Sequence, residues 1–439
     1  MTMRVRAVRE AVALAVLMGA VIGSECLAAD PPQTTDREAP PGKTAAASLW
    51  TRDTLTDHGF GLGEALSEQG VDVSLDLTQV CQTNVNGGLA RHRRSGRYAG
   101  SYDLGIGLDL ERLLSLRGGS LFIGAEGSWS EGIDASSIGS LFGANADAGG
   151  DRSIDVTELY YEQRLLDERL MIRLGKVDVS GGFECRGCPA SFDANSLAND
   201  ETTQFLNGAL VNNPQIPFPD NGLGVIVHGE LVEWWYVSAG IGDAEADARM
   251  SGWNTAWSGP DYFFSCFETG VMPRLPSANG PLQGAYRLGL WYDPQPKARF
   301  DGSRDKRDDL GLYLSCDQVC LHENDLGDGQ GLGVFFRCGF ADGEVNEIKT
   351  FYSTGLQYRG LLPGRDSDVA AVGFATGRLT NSPGEGFTSS HETVLEAYYN
   401  VEVTPWLSIS PNVQYIANPG GDEAVTDDTV VGVRIQLAF

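Results

Sequence analysis

The sequence predicts an all-β chain: a sixteen-stranded antiparallel transmembrane β-barrel with a short N-terminal helical segment and one long loop folded into its lumen. Three observations carry that prediction. Apolar and polar residues alternate with period two in run after run, the pattern of strands with two unlike faces. Glycine supplies 56 of 439 residues, well above the usual ~7%, which suits a chain with many turns and no Gly-X-Y repeat. Connections between the runs alternate between short and long, as they do in barrels with turns at one rim and loops at the other.

The N-terminus sets the compartment. Arg4, Arg6 and Arg9 precede an apolar run from Ala11 to Gly23, and small residues end at Ala28-Ala29. This is the layout of a secretory signal peptide, expected over 1–29. The run is too short to span a bilayer comfortably, and no other segment is long and apolar enough to form a transmembrane helix. Membrane residence, if any, then falls to strands. Residues 30–49 are rich in Pro, Ala and Thr and read as a flexible leader. Within 50–69, Leu62, Ala65 and Leu66 have helical spacing, closed by Gly70. The Gly-rich GFGLGE stretch there follows no strand, so a dinucleotide-binding reading is rejected. Residues 70–439 are expected to form the barrel.

In the first strand Val71, Val73, Leu75 and Leu77 alternate with Asp72, Ser74, Asp76 and Thr78. Tyr102 to Leu110 and Leu121 to Ser128 repeat the pattern, and twelve further runs follow between 154 and 439. Short connections fall at 113–119, 166–168, 231–233, 361–368 and 404–405; long ones fall at 83–101, 131–153, 179–221 and 379–390. The up-down order then demands one more strand. Runs 234–242 and 284–293 would both point outward, so a downward strand must lie between them, and Tyr262 to Glu268 is the candidate. The final run keeps Val431, Val433, Ile435, Leu437 and Phe439 on one face. In a closed barrel that face meets lipid and has no free edge. Aromatics near strand ends, including Tyr160-Tyr161, Trp234-Trp235, Trp291-Tyr292 and Tyr398-Tyr399, are expected to form girdles at the lipid interfaces.

Net charge is -27, which disfavours nucleic acid as a partner because phosphate binding needs concentrated Lys and Arg. The acidity serves either solubility or an acidic lumen. Seven cysteines follow the expected cleavage site. Cys185 and Cys188 have CxxC spacing but no second pair and no clustered His, so no metal site is expected. Cys316 and Cys320 are an even number apart and could share a strand face.

From Leu174 onward the chain resembles the OprB-type carbohydrate-selective porin family. The likeness is carried by Leu174-Gly175-Lys176-Val177-Asp178, by Phe192-Asp193-Ala194-Asn195-Ser196-Leu197-Ala198-Asn199, and by Gly284 to Tyr292 and Gly355 to Arg365. Glu396, Tyr398-Tyr399, Asn418-Pro419-Gly420-Gly421 and Phe439 complete it, and the RDTLTDHGFGL stretch resembles the family's helical lead-in. The cysteines and the FECRGCP insert at 183–189 depart from the pattern. The resemblance implies a bacterial outer-membrane channel for passive, selective diffusion of mono- and small oligosaccharides. It also implies outer-membrane lipid and small carbohydrates as partners, assembly as a homotrimer, no cofactor and no enzymatic step. The alternative is a soluble exported β-rich carbohydrate-binding protein or glycosidase. A lipid hydrolase has only His391 with Ser389-Ser390 to recommend it, without a nucleophile motif.

A sugar channel needs groups that hydrogen-bond hydroxyls yet release them. The candidate lining residues are Glu126, Arg173, Lys176, Asp178, Asp193, Asn195 and Arg337. Arg173 and Arg337 lie inside strand runs, where a lipid-facing charge costs ~2–4 kcal/mol at mid-membrane, so both are expected to face the lumen. The other reading is a solvated wall or an Asp–Lys pair that holds the long loop, with Asp193 and Asn195 as loop caps. Arg91-His92-Arg93-Arg94, with Arg97, would sit in the first external loop, either solvated or against lipid phosphates or a neighbouring subunit.

Overall fold

The computed structural model describes residues 49–89, 96–183, 197–198, 200–257, 259, 261–325, 327, 329–381, 384 and 386–439. The expected signal peptide, nearly all of the leader, Asp193, Asn195 and the Cys185/Cys188 pair lie outside them.

Two short helices, Asp57–Phe60 and Leu62–Glu68, open the described chain. The wall follows in chain order: β1 (Val71–Gly88), β2 (Gly96–Asp109), β3 (Gly119–Trp129), β4 (Arg152–Leu165), β5 (Leu170–Val177), β6 (Gly222–Val232), β7 (Trp235–Asp243) and β8 (Phe263–Val271). A two-residue spur, β9 (Arg274–Leu275), precedes β10 (Leu282–Asp293). Then come β11 (Asp309–His322), β12 (Gly331–Phe340), β13 (Ile348–Arg359), β14 (Val369–Leu379), β15 (His391–Thr404), β16 (Leu407–Ala417) and β17 (Thr426–Ala438). Each long strand pairs antiparallel with its neighbours, and β17 returns to β1 from Asp76↔Ala438 to Gly88↔Thr426. Leaving the spur aside, sixteen strands close one barrel. The strand inferred from direction alone is β8, which pairs with β7 and β10.

The faces separate as a membrane barrel requires. Val156, Leu174, Val225, Phe374, Leu395 and Val433 stand exposed on the outer face, whereas Glu268, Arg287, Arg337, Glu396 and Arg434 are buried inside. A soluble sandwich would invert that arrangement, because its apolar faces pack together. Side-chain direction therefore disfavours the alternative of a soluble exported carbohydrate-binding protein or glycosidase.

Three expectations need correction. The first long connection is mostly strand, since β1 runs to Gly88 and β2 begins at Gly96. Past the hydrocarbon, strand residues no longer need an apolar outer face, so Asn84, Asn86 and Arg97 carry no alternation to read. Leu110 leaves the strand and begins the helix Leu110–Leu114, capped by the Asp109 carboxylate, which accepts from the Glu111 and Arg112 N–H groups. The doublets Trp291-Tyr292 and Tyr398-Tyr399 do not place both rings at the girdle, because neighbours on a strand point to opposite faces, whereas Trp234, just before β7, and Trp235 are both exposed and stack on each other. Tyr292 and Tyr399 face outward and donate to Asp308 and Asp368, while Trp291 and Tyr398 are buried inside.

Candidate functional site

The inner wall has two unlike parts. From β6 to β17 it is largely covered by chain folded into the barrel. Leu197, Ala198, Phe205, Ala209 and Leu210 of the segment 178–221 pack on Phe335, Phe351, Ala371, Ala375 and Tyr398 of the wall. The two ends of the same segment, Val179 with Phe183 and Ile216 with Phe218, pack on Ile226, Phe264, Trp291 and Tyr313. Phe205 meets Tyr398 and Phe335 edge-on, with ring centres 5.0 and 5.8 Å apart. The wall admits this approach by lacking side chains where the loop touches. A Cβ at Gly373 would lie 2.8 Å from Phe205 Cε1, and one at Gly333 would lie 2.7 Å from Leu197 Cδ1.

Buried polar groups hold the loops in register. Glu396 accepts from the Leu206 and Asn207 N–H groups, both at 2.9 Å. Two strand repeats away, Glu392 accepts from Ser140 Oγ at 2.5 Å, Leu141 N at 3.0 Å and Gly420 N at 2.6 Å, and so fixes the segment 130–151 as well. Arg434 donates to the Glu201 and Gln204 carbonyls, each at 2.8 Å. Buried backbone N–H and C=O groups need such partners, and charged ones give the stronger bonds. None of these clamps was foreseen as a site. The available signal was a pair of carboxylates, four residues apart, on the inward face of an otherwise apolar strand.

The candidate residues separate accordingly. Arg337 is buried and donates to the carbonyls of Leu210 and Val211 at 3.1 and 3.2 Å, closing the short helix Gly208–Val211. Arg173 is inward as expected. It makes two bonds to Glu162 Oε2, at 3.0 and 3.2 Å, and its guanidinium lies 4.2 Å from the Tyr160 ring centre. Lys176 pairs in register with Leu159 and Leu223, on the parity of the outward Leu174. Its ammonium donates to the carbonyls of Val156, Ala248 and Met250 at 2.6 to 2.7 Å, beneath the loop that follows β7. Glu126 and Asp178 come together at one cavity of about 440 Å³, between β3, β4 and the two ends of the segment 178–221. Arg152, Thr157, Asp220 and Asn221 share its lining. Asp193 and Asn195 lie outside the described residues.

The second part of the wall, β2 to β5, carries a row of acids in cross-strand register: Asp76↔Asp103, Asp103↔Glu126 and Glu126↔Asp155. Loop carboxylates add to it. Burial pushes the Asp147 carboxyl up to about 7, with further upward push from Glu201 and Asp103, against a hydrogen bond from Ser101 and the charge of Arg434. Burial and the charge of Glu392 raise Asp134 to about 6. The arrangement is a polar passage walled on one side by acids and hydroxyls, narrowed on the other by ordered chain.

Known proteins fit this geometry. The model of the carbohydrate-selective porin, OprB family, matches residues 93–439. Porin B of Pseudomonas aeruginosa is 23% identical over 88% of this chain and 91% of its own length. The putative porin QuiX of Acinetobacter baylyi is 21% identical over 90% of this chain and 96% of its own. The high-pH structure of Pseudomonas putida OprB superposes with a TM-score of 0.77 at 20% identity, covering 90% of this chain and all of that one. Inward polar residues, an outward apolar surface and this family match agree: the chain belongs to the OprB family of carbohydrate-selective porins and is a carbohydrate channel of the bacterial outer membrane.

Proposed function

We propose that mono- and small oligosaccharides diffuse passively along the β2–β5 side of the lumen, with Glu126 and Asp178 among the groups they touch. The observation that carries this reading is the unequal wall. Apolar side chains of 179–183, 197–198 and 205–218 pack against the β6–β17 side, while cross-strand acids line the β2–β5 side. Sugar hydroxyls exchange hydrogen bonds with such groups at little net cost, so binding stays weak enough for exit. Arg173, Lys176 and Arg337 act as positioning residues, because their donors are engaged with the wall and loops. The work is passage rather than catalysis. The assembly we propose is a homotrimer, checked by the mass of the detergent-solubilised, unheated protein.

Neutral sugars pass faster than anions of the same size, because the lumen acids repel the latter. Swelling of liposomes holding the purified chain, in isotonic glucose, sucrose and glucuronate, tests this. Equal rates for glucose and glucuronate would remove the preference, and no swelling in any sugar would remove the channel reading.

A further inference from the structure

We propose that the chain following β7, residues 244–257, is a membrane anchor. It hooks over the rim of the barrel and sets Trp253 and Trp257 into the outer leaflet of the lipid around the wall.

The first argument is the path of the chain. At the upper end of β6, Gly222 and Leu223 are neighbours on a strand and so belong to opposite faces. Gly222 has the parity of the buried, inward Ile226, and a Cβ added to it would lie 2.4 Å from Ala246 Cβ. Leu223 has the parity of the exposed, outward Val225, and a Cβ added to Gly252 would lie 3.2 Å from Leu223 Cγ. Between Ala246 and Gly252 the chain therefore crosses from the inner face to the outer. Beyond the short helix Trp253–Ala256, the Trp257 ring meets Phe263 edge-on, with ring centres 6.2 Å apart. Phe263 opens β8 on the parity of the exposed Phe267, opposite to the buried Phe264. The chain thus lies along the outside of the wall from β5 to β8.

The second argument is what it covers. β5 has eight residues, Leu170–Val177, whereas a strand needs ~9–11 to cross the hydrocarbon. Its last outward residue is not apolar but Lys176. Left bare, that position would turn an ammonium toward lipid, which barrels avoid. The hooked chain removes the conflict. The carbonyls of Ala248 and Met250, with that of Val156, accept from the ammonium, and Met250, Trp253 and Trp257 are presented in its place, 41, 68 and 63% exposed.

The occupant of this patch follows from what adjoins it. The three side chains continue upward the apolar outer surface of Leu174 and Val225, which faces lipid. Tryptophan joins a large apolar ring to one N–H donor, so it settles where hydrocarbon gives way to headgroups. Irregular chain is not tolerated against lipid any deeper, because its backbone groups would lack partners. The anchor therefore sits at the boundary of the outer leaflet.

The test compares the purified chain with the double variant Trp253→Phe, Trp257→Phe. Each is reconstituted in phosphatidylcholine vesicles whose acyl chains carry bromine near the headgroup or near the chain end. The difference between the two emission spectra isolates these indoles from the remaining tryptophans. Bromine near the headgroup should quench that difference about twofold, and bromine near the chain end less, because interfacial indoles sit at headgroup level. Phenylalanine keeps an apolar ring, so the double variant should retain the parent's heat-modifiable gel mobility. Should it fail to fold, each single variant gives the same difference one indole at a time. A difference that neither bromolipid quenches overturns the proposal, as does stronger quenching from the chain end. An unquenched difference together with a lower mass of the unheated double variant would assign the patch to a second copy of the chain instead.

Discussion

The covered wall and the open wall are built from the same strand pattern and solve opposite problems. On the covered side, β12 to β17 turn Phe335, Phe351, Ala375 and Val394 inward, and the loops complete a dry core against them. The polar groups admitted there, Glu392, Glu396 and Arg434, are spent on backbone N–H and C=O groups of the loops. On the open side, Asp103, Glu126 and Asp155 follow one another across the strands. Inward polarity therefore has two meanings in this barrel. Where a loop lies above it, a charge is a clamp; along the proposed path, a charge is offered to the solute.

The largest effect should come from breaking the strongest clamp. Glu396→Leu strands the N–H groups of Leu206 and Asn207, each bond to a charged acceptor being worth roughly 1.5–3 kcal/mol. The loop should leave the wall, and single-channel conductance should rise while sugar discrimination falls. If conductance is unchanged, the loop does not narrow the passage. A smaller effect of the same sign is expected for Gly373→Val. The added side chain meets Phe205 and Leu210 at 2.8 and 2.9 Å, and overpacking of this kind costs about 1–3 kcal/mol. Conductance and protease sensitivity within 197–211 should rise together; a change in neither would show that the wall gives way instead.

The smallest effect concerns pH. Asp147 and Asp134 have carboxyls raised to about 7 and about 6 from an ordinary value of 3.8. A raised carboxyl pKa means the folded loop binds more protons than the released one between those values, so docking weakens as pH rises through that window. Hydrogen-exchange protection across 131–151, taken relative to the free-peptide rate at each pH, should fall from pH 5 to pH 8, and Asp147→Asn should flatten the profile. A loop better protected at pH 8 than at pH 5 would reverse the sign and sink the account.

What the sequence revealed follows from what lipid demands. Val431, Val433, Ile435 and Leu437 must all face hydrocarbon, so their spacing is legible without any structure, and the up-down order of an antiparallel barrel located β8 from chain direction. Above the lipid the demand lapses, and the outer reaches of β1 and β2 could not be read. The inward face is harder. Arg173 and Arg337 were placed inside by the cost of a charge in lipid, but the partners of Arg337, Leu210 and Val211, lie far along the chain. Ser140 and Glu392, for instance, are 252 residues apart. Lys176 shows the limit of the argument. It sits on the outward parity and is satisfied by carbonyls of a loop that no local pattern announces.

The pairing of β17 with β1 makes the wall a ring in which every strand has two neighbours. Connectivity and geometry are then separable: the position of the break in the chain is a matter of genetics, not of mechanics. A permuted gene that joins the present ends through a flexible linker and opens at the Leu166–Glu168 turn would keep every ladder in place except the link at that turn. Such a variant would place new termini at the rim between β4 and β5, at the end of β4 opposite Asp155, where a reporter could watch solutes go by.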